Sequence, residues 1–71
     1  MSYRPMVFVQ GGWHGNAVRF ATEDEAMASS RDLMRRWTLV ENYGAEVSDD
    51  PVNCEWSDAM GHVHLEVINA H

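Results

Sequence analysis

The sequence contains no lysine, only two prolines, a single cysteine and no long hydrophobic run. A lone cysteine, Cys54, excludes a disulfide within the chain. No stretch approaches the roughly 18 apolar residues that cross a bilayer. The apolar run at residues 6–9 is too short for the core of a signal peptide. We therefore expect a protein of a reducing, cytoplasmic compartment, without a membrane segment.

Positive charge is also scarce. Five basic residues, all arginine, stand against eleven acidic ones, which gives a net charge of −6. A chain of this charge has little electrostatic attraction for nucleic-acid phosphates or for anionic lipid surfaces. We expect neither direct nucleic-acid binding nor membrane binding, and the charge favours a basic partner.

The length of 71 residues allows one small domain, residues 1–71. Its composition, 45% hydrophobic and 23% charged, is typical of a folded globular chain. So small a core leaves little room for a catalytic pocket, and no motif joins Cys54 to a histidine or an acidic residue. We expect a protein that is not an enzyme and that uses no cofactor.

The first third of the chain predicts a β-hairpin. Residues 5–10 favour a strand because they are rich in valine and phenylalanine. Residues 11–16 contain three glycines and an asparagine and predict the hairpin loop. Residues 17–20, with Val18 and Phe20 on one face, predict the second strand.

The clearest local signal is the start of a helix. Thr22 followed three residues later by Glu25 forms a capping-box pattern. Apolar and small residues then recur at helical spacing, which predicts a helix over residues 23–43 with Gly44 as the residue after its end. The β-branched residues near position 39 favour an alternative, in which the helix ends near Trp37 and a strand begins there. The predicted buried stripe is Ala26, Ser30, Leu33, Trp37 and Val40.

Three further strands are predicted at residues 45–48, 53–57 and 62–68. The order β-β-α-β-β-β predicts an α+β fold, an antiparallel sheet of about four to five strands with one helix packed on one face. A core this small favours a homodimer that covers the second side or an edge of the sheet, and Ile68 on the last strand is a candidate contact. The expected core comprises Phe8 or Val9, Val18, Phe20, Leu33, Met34, Trp37, Val40, Val47, Trp56, Val63, Leu65 and Val67.

About half of the chain resembles a group of small uncharacterised proteins encoded by bacteriophages and some bacteria. The resemblance spans residues 19–53, in the segments Phe-Ala-Thr-Glu-Asp-Glu-Ala, Arg-Trp-Thr-Leu-Val and Ser-Asp-Asp-Pro-Val-Asn. It implies a phage accessory protein that acts in the cytoplasm of a bacterial host, where small acidic proteins often inhibit or redirect host machinery. It implies no catalytic residues.

These observations favour a non-enzymatic protein-interaction module of phage type that binds and inhibits a host protein of an antiviral defence system. Tryptophan is common among interface hot spots, which makes Trp13 a candidate anchor. An alternative is an acidic nucleic-acid mimic that blocks a nucleic-acid-binding host protein. The candidate partner-binding residues are Trp13, His14, Glu23, Asp24, Glu25, Asp49, Asp50 and Ile68.

The histidines support a further alternative, a protein that binds a small ligand or a metal ion. His62 and His64 lie two residues apart on a predicted strand and so share a face, where two imidazoles can hold a divalent ion. A metal site needs a third ligand, and none is evident from the sequence. In this hypothesis, Trp13, His14, His62 and His64 line a shallow pocket.

Overall fold

A computed structural model describes residues 1–65 and has the predicted α+β fold. One helix and five strands follow each other in the predicted order, and the strands form two separate antiparallel sheets. Within residues 1–65, no helix is long and apolar enough to cross a membrane. The elements are β1 (Ser2–Val9), β2 (Gly12–Gly15), α1 (Glu23–Arg36), β3 (Val40–Ser48), β4 (Cys54–Ser57) and β5 (Gly61–His64).

The larger sheet has the order β2-β1-β3. β1 and β2 are joined by a two-residue turn at Gln10 and Gly11, both with positive φ (52° and 81°), as the tight turns of two-residue hairpins require. The prediction of a loop over residues 11–16 was therefore wrong, because most of that glycine-rich segment is strand β2. Residues 17–20 lie outside the named strands, and only Phe20 forms a bridge, to Tyr3.

α1 begins as predicted and ends earlier than residue 43. Thr22 is its N-cap, and the Thr22 hydroxyl accepts the Glu25 backbone N–H at 3.2 Å. The helix stops at Arg36 because Trp37 adopts an extended backbone and donates its N–H to Leu33 at 2.9 Å. The chain then turns, and Val40 pairs with Val9. The alternative in which the helix ends near Trp37 is confirmed.

β4 and β5 form the smaller sheet, and side chains of the connecting segments fasten it to the rest of the fold. Asn53 accepts the Arg19 N–H at 2.7 Å and donates its side-chain amide to the Ala17 carbonyl at 2.8 Å. The Asn53 carbonyl also accepts the Leu65 N–H at 2.8 Å. The two bonds of the Asn53 side chain hold residues 17–19 next to the start of β4, although residues 17–19 form no strand. The predicted strand continuation at residues 66–68, including Val67 and Ile68, lies outside the described residues.

The core has two clusters, one under each half of α1. The first contains Val18, Phe20, Ala26 and Cys54, and the second contains Val7, Val9 and Val40 with Leu33 and Met34 packed against it. Trp56 packs against the first cluster with its ring edge-on to Phe20, at 6.5 Å between ring centroids. The prediction placed Trp37, Val47 and Leu65 in the core, and this is wrong, because all three are exposed.

Candidate functional site

An apolar groove lies on the helix side of the larger sheet, between α1 and β2. Val7 and Val9 of β1 form its floor, Leu33 of α1 forms one wall, and Trp37 and Leu39 of the turn after α1 form its rim. We call this cleft of about 460 Å³ the helix-side groove. Its polar lining is confined to the β2 side and the hairpin turn, where Gln10, His14 and Asn16 lie.

The rim of the helix-side groove exposes two large apolar side chains. Trp37 is 43% exposed and Leu39 is 54% exposed. Trp37 leaves the apolar stripe of α1 because the helix ends one residue before it. Groups of exposed apolar side chains around a cleft are typical of sites that bind another molecule. The turn after α1 therefore exposes Trp37, which the sequence pattern predicts in the core.

A second, more polar cleft of about 380 Å³ lies between α1 and the hairpin of β4 and β5. Leu33 and Asn16 line both clefts, so the two adjoin. Asp32 and Arg36 line this second cleft and form an ion pair of 2.9 Å. His62 lies at its hairpin side.

The side of the larger sheet away from α1 carries the other exposed tryptophan. Trp13 is paired with Phe8, and the two rings pack edge to face at 5.4 Å between centroids. The Trp13 ring also lies over Gly44 of β3, where a Cβ would be 3.6 Å from the indole. Trp13 is 49% exposed. We call this surface, formed by Met6, Phe8, Trp13 and Gly44, the outer face.

Trp13 and His14 lie on opposite faces of the sheet. Side chains alternate along a strand, and directly paired residues share a face. His14 is paired with the buried Val7, so it lies on the side of α1, whereas Trp13 shares the outer face with Phe8. The structure therefore does not bring Trp13 and His14 into one pocket.

The candidate metal ligands lie on β5. His62 is opposite Trp56 in the register and His64 is opposite Cys54. His62 is exposed. Among the side chains that the structure describes, which do not include that of His64, no three histidine, cysteine or acidic groups come together to hold a metal ion.

The acidic residues at the start of α1 divide into two kinds. Glu23 and Asp24 are exposed in the first turn, where a carboxylate is favoured by the helix dipole. Glu25 is half-buried, and its carboxylate accepts both the Thr22 hydroxyl and the Trp56 backbone N–H, each at 2.9 Å. Glu25 thus joins the helix to β4, and this internal role occupies a carboxylate that the nucleic-acid mimic would present.

The two aspartates after β3 also differ. Asp49 is exposed, whereas Asp50 accepts the Arg19 Nε–H at 3.0 Å and the Ser48 hydroxyl at 3.2 Å. The hydrogen bond from Arg19, followed by that from Ser48, holds the pKa of Asp50 below its usual value. The Asp50 carbonyl accepts the Ser2 hydroxyl at 2.7 Å. Asp50 therefore links the chain that follows β3 to Arg19 and to Ser2 of β1.

The single thiol is poorly placed for nucleophilic chemistry. Cys54 is buried in the first core cluster. Burial raises the pKa of the Cys54 thiol, so the reactive thiolate form is disfavoured. The side chain acts as a small apolar group of the core.

Of the predicted partner-binding residues that the structure describes, His14 alone lines the helix-side groove. Trp13 lies on the outer face, the acidic candidates occupy the start of α1 and the end of β3, and Ile68 lies outside the described residues. The apolar pattern of the sequence does not identify Trp37 and Leu39 as surface residues. The available signal was the pair of β-branched residues Thr38 and Val40, which favoured a strand and hence an early end of the helix.

Comparisons of the chain with protein-family models, with curated proteins and with solved structures find no match.

Proposed function

We propose that this chain is a non-enzymatic protein-binding module, of the type with which phages bind and inhibit a host protein, and that it binds its partner in the helix-side groove. The observation that carries this proposal is the exposure of Trp37 and Leu39 beside the apolar cleft. Bulky apolar side chains around a cleft provide the anchors on which protein interfaces depend most.

Charge specifies the chemistry of the partner. Within residues 1–65, three of the five arginines are ion-paired, Arg4 with Glu46, Arg19 with Asp50 and Arg36 with Asp32. The net charge is −6, and the exposed acidic residues of this range outside these pairs are Glu23, Asp24, Glu41, Asp49, Glu55 and Asp58. A complementary partner presents a bulky apolar side chain to the groove and carries lysine or arginine beside it. A requirement for both apolar and basic groups distinguishes this partner from a purely apolar ligand.

Selection from a random peptide library displayed on beads tests both parts of the proposal. The wild-type chain is the bait, and the Trp37→Ala variant is used for counter-selection. We expect enriched peptides that combine a bulky apolar residue with neighbouring basic residues. Because truncation of a central tryptophan at an interface costs about 2 kcal/mol or more, Trp37→Ala should weaken the selected peptides about 30-fold or more.

Trp13→Ala is the matched control, because Trp13 is similarly exposed on the outer face. It should leave the affinity of the selected peptides nearly unchanged. Peptides that depend on Trp13 and tolerate Trp37→Ala would move the binding site to the outer face. Enrichment of apolar peptides without basic residues would contradict the charge argument.

A small apolar ligand is the second candidate, and the size of the cleft favours it. A volume of about 460 Å³ falls within the range of about 300–1,000 Å³ usual for small-molecule sites. The probe is 1-anilinonaphthalene-8-sulfonate, an anionic dye with an apolar ring system whose fluorescence rises when the rings enter an apolar site. Saturable dye binding that is lost in Trp37→Ala, with no peptide enriched, would favour this candidate over the protein partner.

A further inference from the structure

Among the described residues, β3 is an edge strand of the larger sheet. The strand is nine residues long and contains no proline. Within residues 1–65 it pairs with β1 alone. A long edge strand without proline or lysine is a ready surface for pairing with another strand.

The direction of the backbone groups on β3 follows from the bonds of Tyr3. Tyr3 and Phe20 exchange two backbone hydrogen bonds of 2.8 Å, so the N–H and C=O of Tyr3 point away from β3. The direction of the backbone N–H and C=O groups alternates from one residue to the next along an antiparallel strand. The backbone groups of the even-numbered residues of β1 therefore bond to β3. The register pairs them with the even-numbered residues of β3. The backbone groups that point to the open edge belong to Tyr43, Ala45 and Val47.

A side-chain contact agrees with this assignment. The Tyr43 N–H donates to the side-chain oxygen of Asn42 at 2.8 Å and not to β1. Asn42 is exposed, so its side chain can yield this position to the carbonyl of an incoming strand.

We infer that two copies of the chain pair through this edge, antiparallel, with the two Gly44 residues opposite each other at a two-fold axis. Gly44 is the central residue of β3, so this register spans the whole strand, including Glu41 at the bulge between the residues that pair with Phe8 and Val9. It matches the outward-pointing Tyr43 of each copy with the outward-pointing Ala45 of the other, as a hydrogen-bonded pair requires. It also sets a large side chain against a small one.

The same register keeps like charges apart. Glu46 lies opposite Asn42 of the second copy, and Glu41 lies opposite Val47 of the second copy. Direct opposition of like charges across a pair of strands is destabilising, and here neither glutamate meets another. The edge of this acidic chain is thus complementary to itself, which favours a second copy over a foreign strand as its occupant.

Pairing at β3 is independent of the helix-side groove. The groove lies toward β2, at the other edge of the sheet. The dimer would form one six-stranded sheet with a helix-side groove in each half. It would therefore present two partner-binding sites.

Val47 provides a test that is specific for this register, because its side chain is exposed in the single chain. Val47→Glu places two glutamates opposite each other, twice per dimer. At the usual cost of a like-charge cross-strand pair, we expect dimer dissociation to become on the order of 2- to 30-fold more favourable. The matched control, Val47→Lys, faces Glu41 and should dimerise at least as tightly as the wild type. The double variant Val47→Glu/Glu41→Lys should restore dimerisation.

Sedimentation equilibrium over a wide range of chain concentration measures these constants, and far-UV circular dichroism establishes that each variant is folded. We expect the wild type to reach twice the chain mass of 8.1 kDa. Trp37→Ala should leave dimerisation unchanged while it weakens partner binding, which separates this inference from the proposed function. A wild type that stays monomeric at the highest concentration overturns the inference. So does a dimer whose stability is the same in both Val47 variants.

Discussion

Truncation of Trp37 should cost the fold much less than truncation of a core aromatic residue. Phe20 is fully buried in the first core cluster, and Phe20→Ala should cost about 3–5 kcal/mol, as is usual for buried aromatic residues. Trp37 is 43% exposed at the rim of an open cleft. Its truncation loses roughly half of that burial and leaves no closed cavity, so we expect Trp37→Ala to cost about 1–2 kcal/mol.

Urea unfolding measures both losses. Far-UV circular dichroism is the readout, because Trp37→Ala removes one of the three tryptophans and so changes the fluorescence itself. Similar slopes with different midpoints would assign the difference to stability. If Trp37→Ala destabilises the chain as much as Phe20→Ala, Trp37 belongs to the core and the helix-side groove is not an open binding surface.

Three further variants test the Arg19–Asp50 ion pair and the hairpin turn. The pKa of Asp50 is lower in the folded chain than its usual value, so its contribution to stability is present above about pH 4 and is lost as the pH falls through the folded pKa. Asp50→Asn should therefore flatten the decline of the unfolding midpoint in acid, and an unchanged pH profile would contradict this. Gly11 has φ +81° and open space around its Cα, so Gly11→Ala should cost about 1–2 kcal/mol through backbone strain alone. Gln10→Ala, at the neighbouring position with φ 52°, should cost close to nothing in the same urea unfolding assay, and equal losses would refute the turn assignment.

The parts of the fold that depend on local chemistry could be predicted from the sequence. The Thr22–Glu25 capping box fixed the start of the helix, because both hydrogen-bonding groups lie within one turn. The order of elements followed from patterns of apolar residues and turns. The division of the strands into two sheets could not be predicted, because it depends on Asn53 and Arg19, which lie 34 positions apart.

The errors arose where pairing between strands prevailed over the local sequence pattern. Glycines at positions 12 and 15 favoured a loop, yet the segment is a strand because Trp13 packs across Phe8. The apolar stripe continued to Trp37, yet the helix ends there because Val40 pairs with Val9. The early end of the helix places Trp37 and Leu39 at the rim of the helix-side groove. Its floor, wall and rim come from three elements that only the tertiary structure brings together.

The binding of a host protein in the helix-side groove is tested most directly by capture from a bacterial lysate with the tagged chain. Wild type, Trp37→Ala and Trp13→Ala are compared at physiological and at high salt, and the captured proteins are quantified by mass spectrometry. We expect a protein that is captured by wild type and by Trp13→Ala, is lost with Trp37→Ala and is reduced at high salt. Capture that survives Trp37→Ala and is lost with Trp13→Ala would contradict the assignment of the groove as the binding site.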